Sequence, residues 1–151
     1  MSKGLIALAA GALLVVLVAG CGSSDDSSSL TKAEFIKQAD QICTKGEKSI
    51  EGGAEKFAEE NKVDTEKPTK GQQEEVIKQV VAPEIRKQAE EIDSLGAPKG
   101  EESEVEAIVT AVEEGADELE SKPALLIEGK NPLEAGSKLA KEYGLKVCGE
   151  E

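Results

Sequence analysis

The sequence lacks histidine and tryptophan, and its aromatic residues are limited to 2 Phe and 1 Tyr. Without histidine, the chain cannot form a Ser–His–Asp triad, use an imidazole general base or hold a metal ion through imidazole ligands. The sequence also has no Gly-rich phosphate loop, dinucleotide fingerprint or EF-hand pattern. We therefore expect a protein that is not an enzyme and that carries neither a cofactor nor a metal site.

Basic residues are also few, with 18 Lys and Arg against 31 Asp and Glu, for a net charge of -13. Such a surface is repelled by nucleic acids and by anionic lipid headgroups, so we expect no nucleic-acid partner. Adjacent glutamates such as Glu90 and Glu91 point about 100° apart on a helix. They indicate solvated helix faces rather than acid/base pairs or cation sites.

One long apolar run, residues 4–18, has the character of a signal-peptide core and is followed by small residues. The run ends in Val18-Ala19-Gly20-Cys21, which resembles the lipobox of bacterial lipoproteins. This resemblance implies cleavage before the cysteine and diacylation of its thiol with acyl chains such as palmitate. The mature chain would then be anchored by lipid at the extracytoplasmic face of the cell membrane. This lipid would be the one contact between the protein and the membrane.

The N-terminal region is thus predicted to contain two parts, a lipoprotein signal peptide over 1–20 and a flexible tether over 21–30, rich in Ser and Asp. The alternative is an uncleaved anchor that spans the membrane once. Residues 4–20 are at the short end of the about 17–25 apolar residues that a spanning helix needs, which favours the signal peptide.

The remaining residues, 31–149, predict an all-α domain, because apolar residues recur at steps of three and four and no strand-like alternation is visible. Thr31 and Glu34 have the spacing of a capping box at the first helix start. We expect an antiparallel bundle of about four helices. The predicted helices span about 31–58, with a weak point at Gly52-Gly53, then 71–95, 101–121 and 132–143, with a short apolar turn at 123–127.

Pro83 falls inside the second predicted helix. Proline removes one backbone donor and its ring clashes with the preceding turn. The sequence therefore predicts either a kinked helix or two shorter helices here, and leaves the choice open.

The chain has 3 cysteines. With Cys21 assigned to lipid, Cys43 and Cys148 are left to form a disulfide in an exported protein. A redox-active pair would favour a Cys-x-x-Cys spacing, and a zinc site would need further ligands, so both alternatives are weaker. The bridge would close a loop of about 105 residues and tie the end of the chain to the first helix.

Three segments carry a further resemblance: 32–43, which ends in cysteine, 95–98 with the sequence Leu-Gly-Ala-Pro, and the Tyr-Gly-Leu-Lys-Val-Cys-Gly tail at 143–149. Together they resemble uncharacterised small exported helical proteins of high-GC Gram-positive (actinobacterial) bacteria that have a paired-cysteine frame. The resemblance implies export and the disulfide, and implies no activity.

We therefore expect a monomeric, non-enzymatic, lipid-anchored extracytoplasmic module with an accessory or protein-interaction role in the cell envelope. The alternative is a binding module that holds a small apolar ligand or lipid between helices near Pro83. Its candidate lining residues are Val80, Val81, Ile85 and Tyr143. A thiol oxidoreductase, the third class, would need an exposed and easily reduced cysteine pair.

Overall fold

A computed structural model describes residues 29–150. The predicted signal peptide, Cys21 and most of the predicted tether lie outside this range. The described chain is all-helical, without strands, as predicted. Its elements are α1 (Lys32–Asn61), α2 (Lys70–Val76), a π-helical segment (Ile77–Val81), α3 (Ala82–Asp93), α4 (Glu102–Ser121), α5 (Ala124–Ile127) and α6 (Glu134–Tyr143).

The long helix α1 begins at the predicted capping box. The Glu34 amide donates to Thr31 Oγ1 at 3.3 Å, and the Thr31 amide donates to Glu34 Oε2 at 3.0 Å. The helix then continues for 30 residues, through Gly52-Gly53, without interruption. Glycine lowers helix propensity by only about 1 kcal/mol per residue, and Gly53 packs against Val80 of the π-helical segment, which supports the helix here.

The second predicted helix forms one continuous helical path over residues 70–93, in which the winding changes before Pro83. The Ala82 amide donates to the Ile77 carbonyl, five residues back, which is the π-helical pattern. Pro83 comes directly after this wider turn, at the start of α3, and has no N–H with which to continue the regular hydrogen bonding. The wider turn thus accommodates the proline, and the helix is not split.

The start of α6 differs slightly from the prediction. Asn131 Oδ1 accepts a hydrogen bond from the Leu133 amide at 3.0 Å, which forms a side-chain turn. The helix itself begins at Glu134, about two residues later than predicted. Gly144 ends the helix with a φ of 114°, a conformation that favours glycine.

Two hydrophobic clusters hold the helices together, and α3 with α4 and α4 with α6 form the most extensive pairings. We call the larger cluster the disulfide end; its buried residues are Phe35, Ala39, Cys43, Ala89, Ile92, Val105, Ile108, Val109, Ala140, Tyr143 and Leu145. The smaller cluster, the π end, is built on Ile77, Ala82 and Leu119. Among residues 29–150, no helix has the length and apolarity needed to cross a membrane.

Candidate functional site

The predicted disulfide between Cys43 and Cys148 is confirmed, with a Cα–Cα distance of 5.4 Å. Cys43 lies on the buried face of α1, and Cys148 lies in the tail that follows α6. The bond therefore fixes the C-terminal tail against the first helix.

Asp40, one turn before Cys43 on α1, reinforces this attachment. Its Oδ1 accepts hydrogen bonds from the backbone amides of Lys146, at 3.0 Å, and Val147, at 2.9 Å. These amides follow the last helix and have no intrahelical acceptor. Asp40 was not singled out from the sequence, because an aspartate on a helix close to a cysteine gives no signal that a distant tail will meet it.

A pocket of about 200 Å³ lies beside the disulfide and opens partly to solvent. It is enclosed by α1, α3, α4, α6 and the tail. Most of its wall is aliphatic, formed by Ile50, Ile85, Ala89, Ile92, Ile108, Val109, Val112, Leu133, Ala140 and Val147. The polar contributors are Gln88, Ser137 and the exposed carboxylates of Glu47 and Glu150.

Gln88 is the buried polar residue of this wall, with only 8% of its surface exposed. Its Nε2 is buried and has no hydrogen-bond partner within the described part of the chain. The amide packs directly against Gly46 of α1, where any larger residue would overlap it. A buried donor without a partner costs about 1–3 kcal/mol, and this one is enclosed at the contact between α1 and α3.

The four lining residues predicted from the sequence lie in different places. Ile85 lines the pocket. Val80 lies in a shallow surface groove with Pro83, and Val81 packs against the π end. Tyr143 is buried within the disulfide end. The pocket lies further along α3 than the predicted position near Pro83, because the distortion at a proline does not by itself create a cavity.

Tyr143 belongs to the disulfide end and contacts α1 and the start of α4. Its ring meets Phe35 edge to face, with the centroids 5.9 Å apart. Lys32 Nζ lies 4.0 Å from the Tyr143 centroid and 2.9 Å from Glu101 Oε2. Burial raises the pKa of Tyr143, and the Glu101 carboxylate raises it further. The ring contacts thus join the end of α6 to the first turn of α1.

In residues 29–150, no group of three His, Cys, Asp or Glu side chains is arranged to hold a metal ion. The comparisons with known proteins give no match: no family model fits this chain, and neither the curated proteins nor the solved structures include a similar one. The arrangement itself offers an aliphatic pocket with an acidic rim.

Proposed function

We propose that this protein is a lipid-anchored extracytoplasmic binding module, without enzymatic activity, whose antiparallel helical bundle holds a small apolar ligand. The observation that carries the proposal is the aliphatic pocket of about 200 Å³ beside the Cys43–Cys148 disulfide. A dry cavity of about 150 Å³ already admits benzene. Many ligand pockets are larger, about 300–1,000 Å³, so the fitting ligand is a small molecule or one segment of a chain.

The surroundings of the pocket support binding over simple core packing. Protein interiors are normally close-packed, and a void in the core lowers stability. Here the void borders a disulfide and the Asp40 hydrogen bonds to the tail. These bonds hold one wall in place independently of side-chain packing, so the pocket can persist without collapsing.

The anchor is the second part of the proposal. Lipid on Cys21, followed by a Ser- and Asp-rich tether, would keep the domain close to a membrane, which is a reservoir of apolar molecules. Intact-mass measurement of the chain from the membrane fraction tests this. We expect a diacylglyceryl-modified chain starting at Cys21, with two hydrogens gained on reduction. A mass without lipid would contradict the anchor.

Ligand binding is tested with cyclohexane, titrated against the full chain in lipid nanodiscs and followed by hydrogen exchange. Bound ligand should slow exchange in the pocket-lining segments 85–92 and 108–112. Ser137→Leu, which places an isobutyl group at the half-buried pocket wall, should abolish the protection. Ser121→Leu, the same change at an exposed position outside the pocket, should leave it intact. Unchanged exchange at a saturating concentration would contradict the proposal.

A further inference from the structure

We infer that Val112 of α4, held in place by Gly136 of α6, sets the size of the apolar ligand that the pocket accepts. The inference rests on the proposed function and identifies the residues that determine specificity at the same site. Two observations carry it together. Val112 lines the pocket, and its side chain packs against a position of α6 that has no Cβ.

The contact between Val112 and Gly136 is close. A Cβ added at Gly136 would lie 2.7 Å from Val112 Cγ2 and 3.2 Å from the Val112 backbone nitrogen. Gly136 is buried in α6, and the next residue, Ser137, lines the pocket. The absence of a side chain at Gly136 therefore lets Val112 lie against the backbone of α6, and this position leaves the space of the pocket open.

A methyl group at position 136 would displace Val112 rather than separate the helices. The pairing of α4 with α6 is among the most extensive in the fold, and the segment before α6 already meets the α4 backbone closely at Gly115. The empty space next to Val112 is the pocket. The isopropyl group would therefore leave its preferred rotamer, turn into the pocket and narrow it.

The chain contains a second contact of the same kind, which serves as the matched control. A Cβ added at Gly53 of α1 would lie 2.7 Å from Val80 Cγ1. Val80 is half-buried, as Val112 is, but it lines the shallow groove beside Pro83 instead of the pocket. Substitutions at Gly53 and Val80 thus alter the same kind of contact between glycine and valine without reaching the pocket.

Two rigid hydrocarbons of different size, cyclohexane and adamantane, measure the ligand preference. Each is titrated against the full chain in lipid nanodiscs, with hydrogen exchange at 85–92 as the readout, because this segment of α3 lines the pocket and contains none of the substitutions. All chains are compared at the same lipid concentration, so that partition of the probes into the bilayer cancels. Val112→Ala should shift the preference about tenfold or more towards adamantane, since one methylene group in an apolar pocket changes affinity about 10–200-fold. Val80→Ala should leave the preference unchanged.

The glycine variants test the positioning role. Gly136→Ala should weaken cyclohexane binding about tenfold or more. Gly136→Ala/Val112→Ala should restore it, because the side chain that enters the pocket is then absent, whereas a merely structural defect would persist. Gly53→Ala should leave cyclohexane binding unchanged. If Gly136→Ala does not fold, Val112→Ile narrows the pocket from the same position and should weaken cyclohexane binding instead.

The outcomes separate this inference from the proposed function. An unchanged preference in Val112→Ala, or no recovery of cyclohexane binding in Gly136→Ala/Val112→Ala, would overturn the inference while the proposed function stands. If cyclohexane does not protect 85–92 in the native chain, the proposed function itself fails.

Discussion

The disulfide end and the π end keep their helices together by different means. At the disulfide end, Cys148 is bonded to Cys43, and Asp40 holds the tail by its backbone amides. At the π end, a small aliphatic cluster is supplemented by surface ion pairs, such as Arg86 Nη2 with Asp117 at 2.6 Å. Exposed pairs of this kind contribute at most about 1 kcal/mol.

Close packing occurs at both ends. At the π end, α4 and the segment before α6 approach closely at Gly115, where an added Cβ would lie 2.7 Å from the Pro132 carbonyl oxygen. At the disulfide end, an added Cβ at Gly149 would lie 2.8 Å from the Leu145 carbonyl oxygen. The ends therefore differ in the covalent bond and the Asp40 hydrogen bonds that hold the tail beside the pocket.

Removal of the disulfide should have the largest effect. The bond closes a loop with a sequence separation of 105 residues, for which chain entropy predicts a loss of up to about 4.7 kcal/mol. We expect Cys43→Ala/Cys148→Ala to lower the free energy of unfolding by about 3–5 kcal/mol, measured by urea titration. With reductant, the native chain should have the same free energy of unfolding as the double variant, and reductant should leave the double variant unchanged. A loss below about 1 kcal/mol would show that packing alone holds this end.

Gly115→Ala should have an intermediate effect, because the added methyl group meets backbone and the Leu133 side chain. Overpacking of this kind costs about 1–3 kcal/mol. Gly52→Ala provides the matched control, since Gly52 lies within α1 and nothing lies within 4 Å of its Cβ position. This substitution should raise the free energy of unfolding by about 0.5–1 kcal/mol. Urea unfolding of the two variants and the native chain measures both changes in stability. Equal stabilisation by the two substitutions would show that the π end is not tightly packed.

The helices, the capping box and the disulfide were predictable because each has a local or compositional signal. Thr31 and Glu34 are three residues apart, and the glycine after α6 marks its end. Two cysteines outside the lipobox leave a single pairing. The structure confirms these predictions, and the lipid anchor stays a prediction.

The pocket was not predictable, because it depends on how helices cross. Gln88 looks like any polar residue between solvated glutamates, and only contact with Gly46 on another helix makes it buried. The π-helical segment before Pro83 likewise has no pattern in the hydrophobic spacing. The sequence predicts a pocket at the proline, whereas the pocket lies beside the disulfide and is formed by residues that four helices and the tail bring together.

Acid titration of Glu101, which lies beside Tyr143 at the disulfide end, should have the smallest effect. Pairing with Lys32, whose Nζ lies 2.9 Å from Oε2, lowers the pKa of Glu101 below its ordinary 4.5, and the nearby Tyr143 hydroxyl lowers it further. A carboxyl group whose pKa is lower in the folded state contributes stability that is complete above the unfolded pKa and is lost as pH falls through the folded pKa. The stabilisation by Glu101 is therefore present at neutral pH and lost below about pH 4.5.

Glu101→Gln isolates this contribution. The variant should have a lower urea midpoint than the native chain at neutral pH, and the two midpoints should converge on acidification, because the native Glu101 then becomes uncharged as well. Glu106→Gln, at an exposed position on the same helix, should show no such convergence. Midpoints that run parallel at all pH values would show that Lys32 and Tyr143 do not engage Glu101, and that the two ends differ in the disulfide and the tail alone.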